Sequence, residues 1–126
     1  MIRLERYLQM QDEILLINVE ITSLRQTKGL DYDSVRVQSA PSDPMGQLIG
    51  RIEKLEKKRE RLWHLQQEII DCIDSLANKR YAKILGYRYI VGMTVYEISE
   101  ALDVSERWTR TLIRKAEERY YETARN

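Results

Sequence analysis

Between residues 106 and 115 the chain sets Arg107, Arg110 and Arg114 at steps of three and four, with Thr111 among them. On an α-helix those steps return to one face. A guanidinium is a planar fork of donors that fits the acceptor edge of a guanine or a phosphate. A threonine hydroxyl can donate or accept, and its methyl can touch a thymine methyl. Thr109, Ile113 and Ala116 recur at the same steps on the opposite side. A small, apolar stripe therefore opposes a stripe of arginines, as a helix needs if it packs on one face and reads DNA with the other. A solvated basic face would look the same on an isolated helix. The turn and the short helix that precede this one favour DNA reading.

Other chemistry has little to stand on. His64 is the only histidine and lies mid-helix, eight residues from the only cysteine, Cys72, so the pair is a poor metal site. Cys72 sits beside the Ile69/Ile73 stripe and reads as a small buried hydrophobe. There is no phosphate-binding glycine loop and no zinc spacing. We expect no enzyme activity, no metal and no cofactor.

The elements that must position the arginines have clear boundaries. A helical stretch from Asn78 to about Val91 carries Tyr81, Ile84, Leu85 and Tyr89 and ends at Gly92, which suits a left-handed position. Thr94 and Glu97 have capping-box spacing ahead of a short helix, Val95 to Leu102. Asp103-Val104-Ser105 forms the turn, and Ser105 caps a third helix running to about Tyr120 or Tyr121. Two helices joined by such a turn, the second longer and richer in arginine, fit a helix-turn-helix. Trp108 is expected to flank the core between this helix and its neighbours.

Upstream, Tyr7, Met10, Ile14, Ile17, Ile21 and Leu24 alternate steps of three and four over residues 3–26, widened by Leu4, Leu8 and Leu15. Residues 27–46 lose that period and hold both prolines, so they read as a loop. Asp43 before Pro44 resembles an N-cap followed by proline at the first helical position. A long helix follows to about Leu76, with a seam of Leu48, Ile52, Leu55, Leu62, Ile69, Ile73 and Leu76 interrupted by Arg59 and Gln66. The charges from Glu53 to Arg61 lie mostly off that seam and read as surface patterning.

The expected fold is all-α. Residues 1–76 would form an antiparallel, coiled-coil-like hairpin for self-association, most simply as a dimer. Residues 77–126 would form the DNA-binding module. A two-helix hairpin alone buries little surface, which favours association. Composition agrees with a helical protein: 43% of the 126 residues are hydrophobic and 33% are charged. Residues 1–76 hold 11 Lys/Arg against 13 Asp/Glu, and residues 77–126 hold 10 against 7. The basic excess thus sits in the segment with the arginine face. No run reaches the ~20 apolar residues of a membrane span. The single cysteine and the lack of an apolar leader point to the cytoplasm.

The segment 88–102, RYIVGMTVYEISEAL, resembles region 4 of bacterial sigma factors, and 105–116, SERWTRTLIRKA, is similar to the recognition helix of that group. The Ser-Glu-Arg-Trp opening is most similar to the ArpU and RinA-like regulators of phages and prophages. The resemblance covers about residues 81–119. It implies a transcriptional regulator in a bacterial host, acting on late or packaging genes, with the recognition role on Glu106, Arg107, Arg110, Thr111 and Arg114. Lys79, Lys83 and Lys115 would help to hold phosphates. Double-stranded DNA is the expected partner, and RNA polymerase a further candidate. The sequence departs from the group at Ser99, Asp103 and Thr109, where alanine, glycine and valine are usual. Two other readings stay open: a DNA-recognition subunit of a phage packaging machine, similar to a small terminase, and a coiled-coil interaction protein that does not bind DNA.

Overall fold

The computed structural model describes residues 2–26 and 44–125. Among the described residues there are five α-helices and no strand, so the all-α expectation holds. They are α1 (Arg6–Gln26), α2 (Pro44–Asp74), α3 (Lys79–Leu85), α4 (Val95–Leu102) and α5 (Glu106–Arg125). A π-helical segment, Gly86–Val91, directly follows α3. No helix among them is long and apolar enough to cross a membrane. Residues 27–43 of the expected loop, and the expected cap Asp43, lie outside the described residues. Pro44, Met45 and Gly46 already belong to α2.

The chain divides into two compact units, Gln11–His64 and Met1–Met10 with Leu65–Asn126. In the first, α1 buries Ile14, Ile17 and Ile21, and α2 buries Ile49, Ile52, Leu55 and Leu62. Their spacing keeps them on one face of each helix, and removing that face from water is the main stabilising term. Polar side chains lie along the same helices. Arg51 meets Glu20 at 2.8 Å, and Arg59 Nη1 donates to Asn18 Oδ1 at 2.7 Å. Arg25 lies 3.7 Å from Glu56. Arg59 interrupts the seam because its stem can lie along apolar surface while its head reaches Asn18 and covers the Trp63 ring, 4.9 Å away.

One expectation for α1 is corrected. Leu15, expected to widen the buried stripe, is exposed, and so are Leu16 (68%) and Val19 (65%). Leu8, in the other unit, is also exposed. Each helical residue turns the chain by about 100°, so Leu15 falls off the face set by Ile14, Ile17 and Ile21.

In the second unit Leu4, Met10, Ile69, Ile73 and Leu76 are buried. A separate core of Ile84, Ile98, Leu112 and Ile113 is flanked by Tyr81, Tyr87, Met93, Val95 and Leu102. The end of α5 is tied to the start of the chain. Tyr120 donates its hydroxyl to the Ile2 carbonyl at 2.9 Å. The Leu4 backbone N–H donates to the Tyr121 hydroxyl at 3.2 Å. Burial pushes the Tyr120 phenol up to about 12, since the phenolate would have to leave water. The seam residue Gln66 is buried but satisfied, with Nε2 donating to the Tyr7 carbonyl at 3.3 Å.

Candidate nucleic-acid interface

Three local devices set the position of α5. The first precedes it: Asn78 caps α3 by accepting from the backbone N–H of Arg80 and Tyr81 at 3.0 and 3.3 Å. The expected helix 78–91 is α-helical only to Leu85. It then widens into the π turn, where the Tyr87 carbonyl accepts from the N–H of Gly92 and, at 2.9 Å, from that of Met93. Arg88 is drawn inward to donate to the Met93 carbonyl at 3.1 Å. Gly92 takes the expected left-handed conformation, φ 86°. A Cβ there would meet the Leu8 side chain at 3.4 Å, an ordinary contact, so it is the positive φ that favours glycine.

The second device is the start of α4. Thr94 Oγ1 accepts from the Glu97 N–H at 3.1 Å, and Glu97 returns a carboxylate oxygen to the Thr94 N–H at 3.0 Å. The Thr94 backbone N–H, and then the Thr94 hydroxyl, favour the ionised form and hold the Glu97 carboxyl below its ordinary range. The third device is the turn before α5. Asp103 carries it at φ 56°, ψ 47°, with its N–H returned to the carbonyls of Ser99 and Glu100. Ser105 Oγ then accepts from the Trp108 N–H at 3.1 Å and caps α5.

Behind α5, Thr109 is fully buried and donates its hydroxyl to the Ser105 carbonyl at 2.9 Å. Ser99 is buried as well, and its hydroxyl donates to the Tyr96 carbonyl at 2.6 Å. The two hydroxyls that replace alanine and valine in the resembled pattern are thus satisfied within their own helical turns, which removes the penalty of burying them. Tyr89 of the π turn donates to the Glu117 carboxylate of α5. Burial, and then that carboxylate, raise the Tyr89 phenol well above its ordinary value.

The outer face of α5 holds most of the expected site residues. Arg107, Arg110 and Arg114 are exposed, and Thr111 is half-buried between them. The Thr111 hydroxyl donates back to the Arg107 carbonyl at 3.2 Å, leaving its oxygen able to accept and its methyl to make contact. Glu106 lies 3.4 Å from Arg110 at the i, i+4 spacing, so this guanidinium is steadied by a carboxylate before any ligand arrives. Lys115 lies on the flank of the face with its Nζ 5.4 Å from the Trp108 ring centre.

Trp108 does not flank the core as expected. It is 42% exposed and forms a surface platform beneath Lys115. The seven-residue step between the two was visible in the sequence and marks them as neighbours on one flank.

The two remaining lysines separate. Lys83 is exposed on α3, 5.7 Å from the Tyr87 ring centre. Lys79 donates to the Asp74 carbonyl at 2.9 Å, so it satisfies an open carbonyl at the end of α2. Among the described residues no group of three or more His, Cys, Asp or Glu could hold a metal. Cys72 is half-buried, and burial pushes its thiol up.

The fold and the outer face of α5 define a small helical protein that presents a row of arginines from a braced helix. Residues 36–121 match a family of proteins of unknown function, DUF1492, and the chain belongs to that family. No curated protein matches the chain, and neither does any solved structure.

Proposed function

We propose that the chain is a sequence-specific DNA-binding regulator of transcription, of phage or prophage origin. In this reading residues 77–126 act as a sigma region-4-like helix-turn-helix in the manner of the ArpU and RinA-like regulators, with α5 in the major groove. The observation that carries it is the row of Arg107, Arg110 and Arg114, exposed on a helix whose opposite face, Thr109, Ile113 and Ala116, is buried. Guanidinium forks on a fixed helix can pair with base edges, and Lys115 and Lys83 can meet phosphates.

Residues 1–76 serve association in this reading, as a cytoplasmic dimer on DNA or as a contact to RNA polymerase. The pairs Asn18–Arg59 and Glu20–Arg51 support an antiparallel hairpin, since the partner number falls as the α1 number rises. Ile52 and Leu55 are buried within the chain itself, so a second copy would use exposed apolar side chains, of which Leu15, Leu16 and Val19 lie together on α1. The test of the proposal is selection of bound fragments from a bacterial and prophage genomic library with the purified protein. Enrichment of one motif upstream of late or packaging genes is the expected result. A ring-shaped oligomer bound at a packaging site would turn the reading to a small terminase-like subunit, and absence of any salt-sensitive DNA binding would turn it to an interaction protein.

A further inference from the structure

Arg51, Lys54, Lys58 and Arg61 of α2 follow steps of three, four and three, and Lys57 lies beside them. All five are exposed. They line a shallow depression of about 730 Å³ together with Leu55, Glu60 and His64, and Glu60 lies 3.8 Å from His64. Of the acids in the same stretch, Glu53 and Glu56 lie on the other flank and Glu60 stands at the edge of the depression. At positions three and four residues away, Lys54, Lys58 and Arg61 meet only cations, histidine or uncharged residues. Such like-charge neighbours destabilise a helix, whereas interspersed signs would stabilise it and serve solubility equally well. Arg51 is paired with Glu20. Among the described residues no carboxylate pairs with Lys54, Lys58 or Arg61.

We propose that this stripe of α2 is a second nucleic-acid contact, one that holds the phosphate backbone of duplex DNA without reading its sequence. The proposal rests on the reading of the chain as a DNA-binding protein. Three features select the ligand. The stripe is mostly lysine, a flexible point charge suited to phosphate and depleted at protein interfaces. Between Arg51 and Arg61 it has no exposed aromatic or large aliphatic anchor of the kind that centres a protein interface or stacks the bases of a single strand; the exposed Leu65 comes four residues after Arg61, and Trp63 lies on the acidic flank under Arg59. From Arg51 to Arg61 the helix rises roughly 15 Å, about the axial length of four to five base pairs.

The test uses the full chain and a random-sequence duplex, titrated at several salt concentrations. The combined variant Lys54→Gln, Lys58→Gln, Arg61→Gln should lower the slope of log affinity against log salt by about two to three units. Lys54→Arg with Lys58→Arg should keep the slope. Circular dichroism should show unchanged helix, since these side chains are exposed and their removal relieves repulsion. A parallel variant, Arg107→Ala, Arg110→Ala, Arg114→Ala, separates the two surfaces. If only the arginine variant loses affinity, the α2 stripe is overturned and the α5 reading stands. If only the glutamine variant loses affinity for the random duplex, the stripe stands, and the α5 reading falls if the arginine variant also keeps its affinity for the preferred site. A wild-type chain that binds no duplex overturns both. Tighter binding to the single strand than to the duplex, or capture of polyglutamate that the glutamine variant abolishes, overturns duplex DNA as the ligand of the stripe.

Discussion

The arginine face of α5 and the lysine stripe of α2 share a helical spacing and differ in everything that fixes a side chain in place. α5 is capped by Ser105, and its buried face packs on the core that Ile84 and Ile98 build from α3 and α4. Glu106 steadies Arg110, and Trp108 underlies Lys115. On α2 the three central cations have like-charged neighbours and, among the described residues, no carboxylate partner. Precise donors need a rigid mount, because a hydrogen-bond fork misplaced by an ångström no longer matches a base edge. Charge alone needs none, because counterion release depends on how many phosphates are neutralised. The same spacing can therefore serve two kinds of contact, and the difference lies in the mount.

The sharpest way to break the comparison is to remove the mount. Ile98 is fully buried at the centre of the core behind α5. Ile98→Ala should cost about 2–5 kcal/mol of stability, from lost burial and the cavity left behind. Denaturant unfolding followed by circular dichroism measures this. At temperatures where α5 loosens, specific DNA binding should disappear while the residual salt-dependent binding assigned to α2 persists. Loss of both together would show that the two surfaces depend on one fold equally.

A smaller effect separates reading from charge within α5. Arg110→Ala should cost about 1–3 kcal/mol on the preferred site and little on random DNA. Lys115→Ala should weaken binding to both DNAs similarly and lower the salt slope by about one unit. Fluorescence anisotropy on both DNAs at several salt concentrations distinguishes them. Equal losses on both DNAs for Arg110→Ala would reduce the α5 face to a second charge stripe.

Much of this arrangement was legible in the residues, and the remainder has physical reasons for being hidden. The periodic seam through Ile14, Ile17 and Ile21 and through Ile52, Leu55 and Leu62 shows in the sequence because burial acts once per helical turn. Gly92, Thr94, Glu97 and Ser105 were readable because caps and left-handed turns depend on residue type and position. The exposure of Leu8 and Leu15 was hidden, since a leucine beside a seam looks like one inside it. The π turn at Gly86–Val91 was hidden because one extra residue per turn has no compositional mark. The bonds of Tyr120 and Tyr121 to Ile2 and Leu4 join the two ends of the chain, and local patterns carry no record of such distant pairing. Lys79 looked like a phosphate contact because a side chain that completes a helix end and one that awaits a ligand are the same residue type. The stripe on α2 resembles ordinary surface charge, because a solvated basic face and a phosphate contact use the same residue types at the same spacing.

The capping of α4 offers a moderate effect with a pH signature. Thr94→Ala should destabilise the chain by about 1 kcal/mol by removing the N-cap. The folded Glu97 carboxyl is held below its ordinary value of 4.5 by its bonds to Thr94. A depressed folded pKa supplies stability that is present above the unfolded value and lost as pH falls through the folded one. The difference between wild type and Thr94→Ala should therefore be largest near neutral pH and shrink below about 4.5. Thermal melts at several pH values measure it, and a difference that stays constant down to strongly acidic pH would show that the Thr94 hydroxyl, as distinct from its backbone N–H, does not support the Glu97 carboxylate.

The smallest expected effect is a gain, and it tests how tightly the turn before α5 sets the arginine face. Asp103 is the only described residue other than glycine with positive φ, at 56°. An L-residue there places its Cβ against the following carbonyl, and aspartate tolerates this better than most but worse than glycine. Asp103→Gly should relieve that contact and raise stability by roughly 0.5–1 kcal/mol, less whatever glycine adds to the entropy of the unfolded chain. The hydrogen bonds of the turn should survive, because they use the Asp103 N–H and the Val104 N–H rather than the carboxylate. The exchange also removes a negative charge close to Arg107 in the chain, so binding to random DNA should rise slightly at low salt and converge with wild type as salt screens the charge. A melt and a salt titration on the same variant separate the two consequences. If Asp103→Gly lowers stability by more than the roughly 0.4–1 kcal/mol that glycine's unfolded-chain entropy can cost, the carboxylate supports the turn in a way its backbone geometry does not require. If it leaves stability higher but lowers affinity for the preferred site alone, then the stiffness of this one turn, more than the number of charges, is what lets α5 read rather than merely hold.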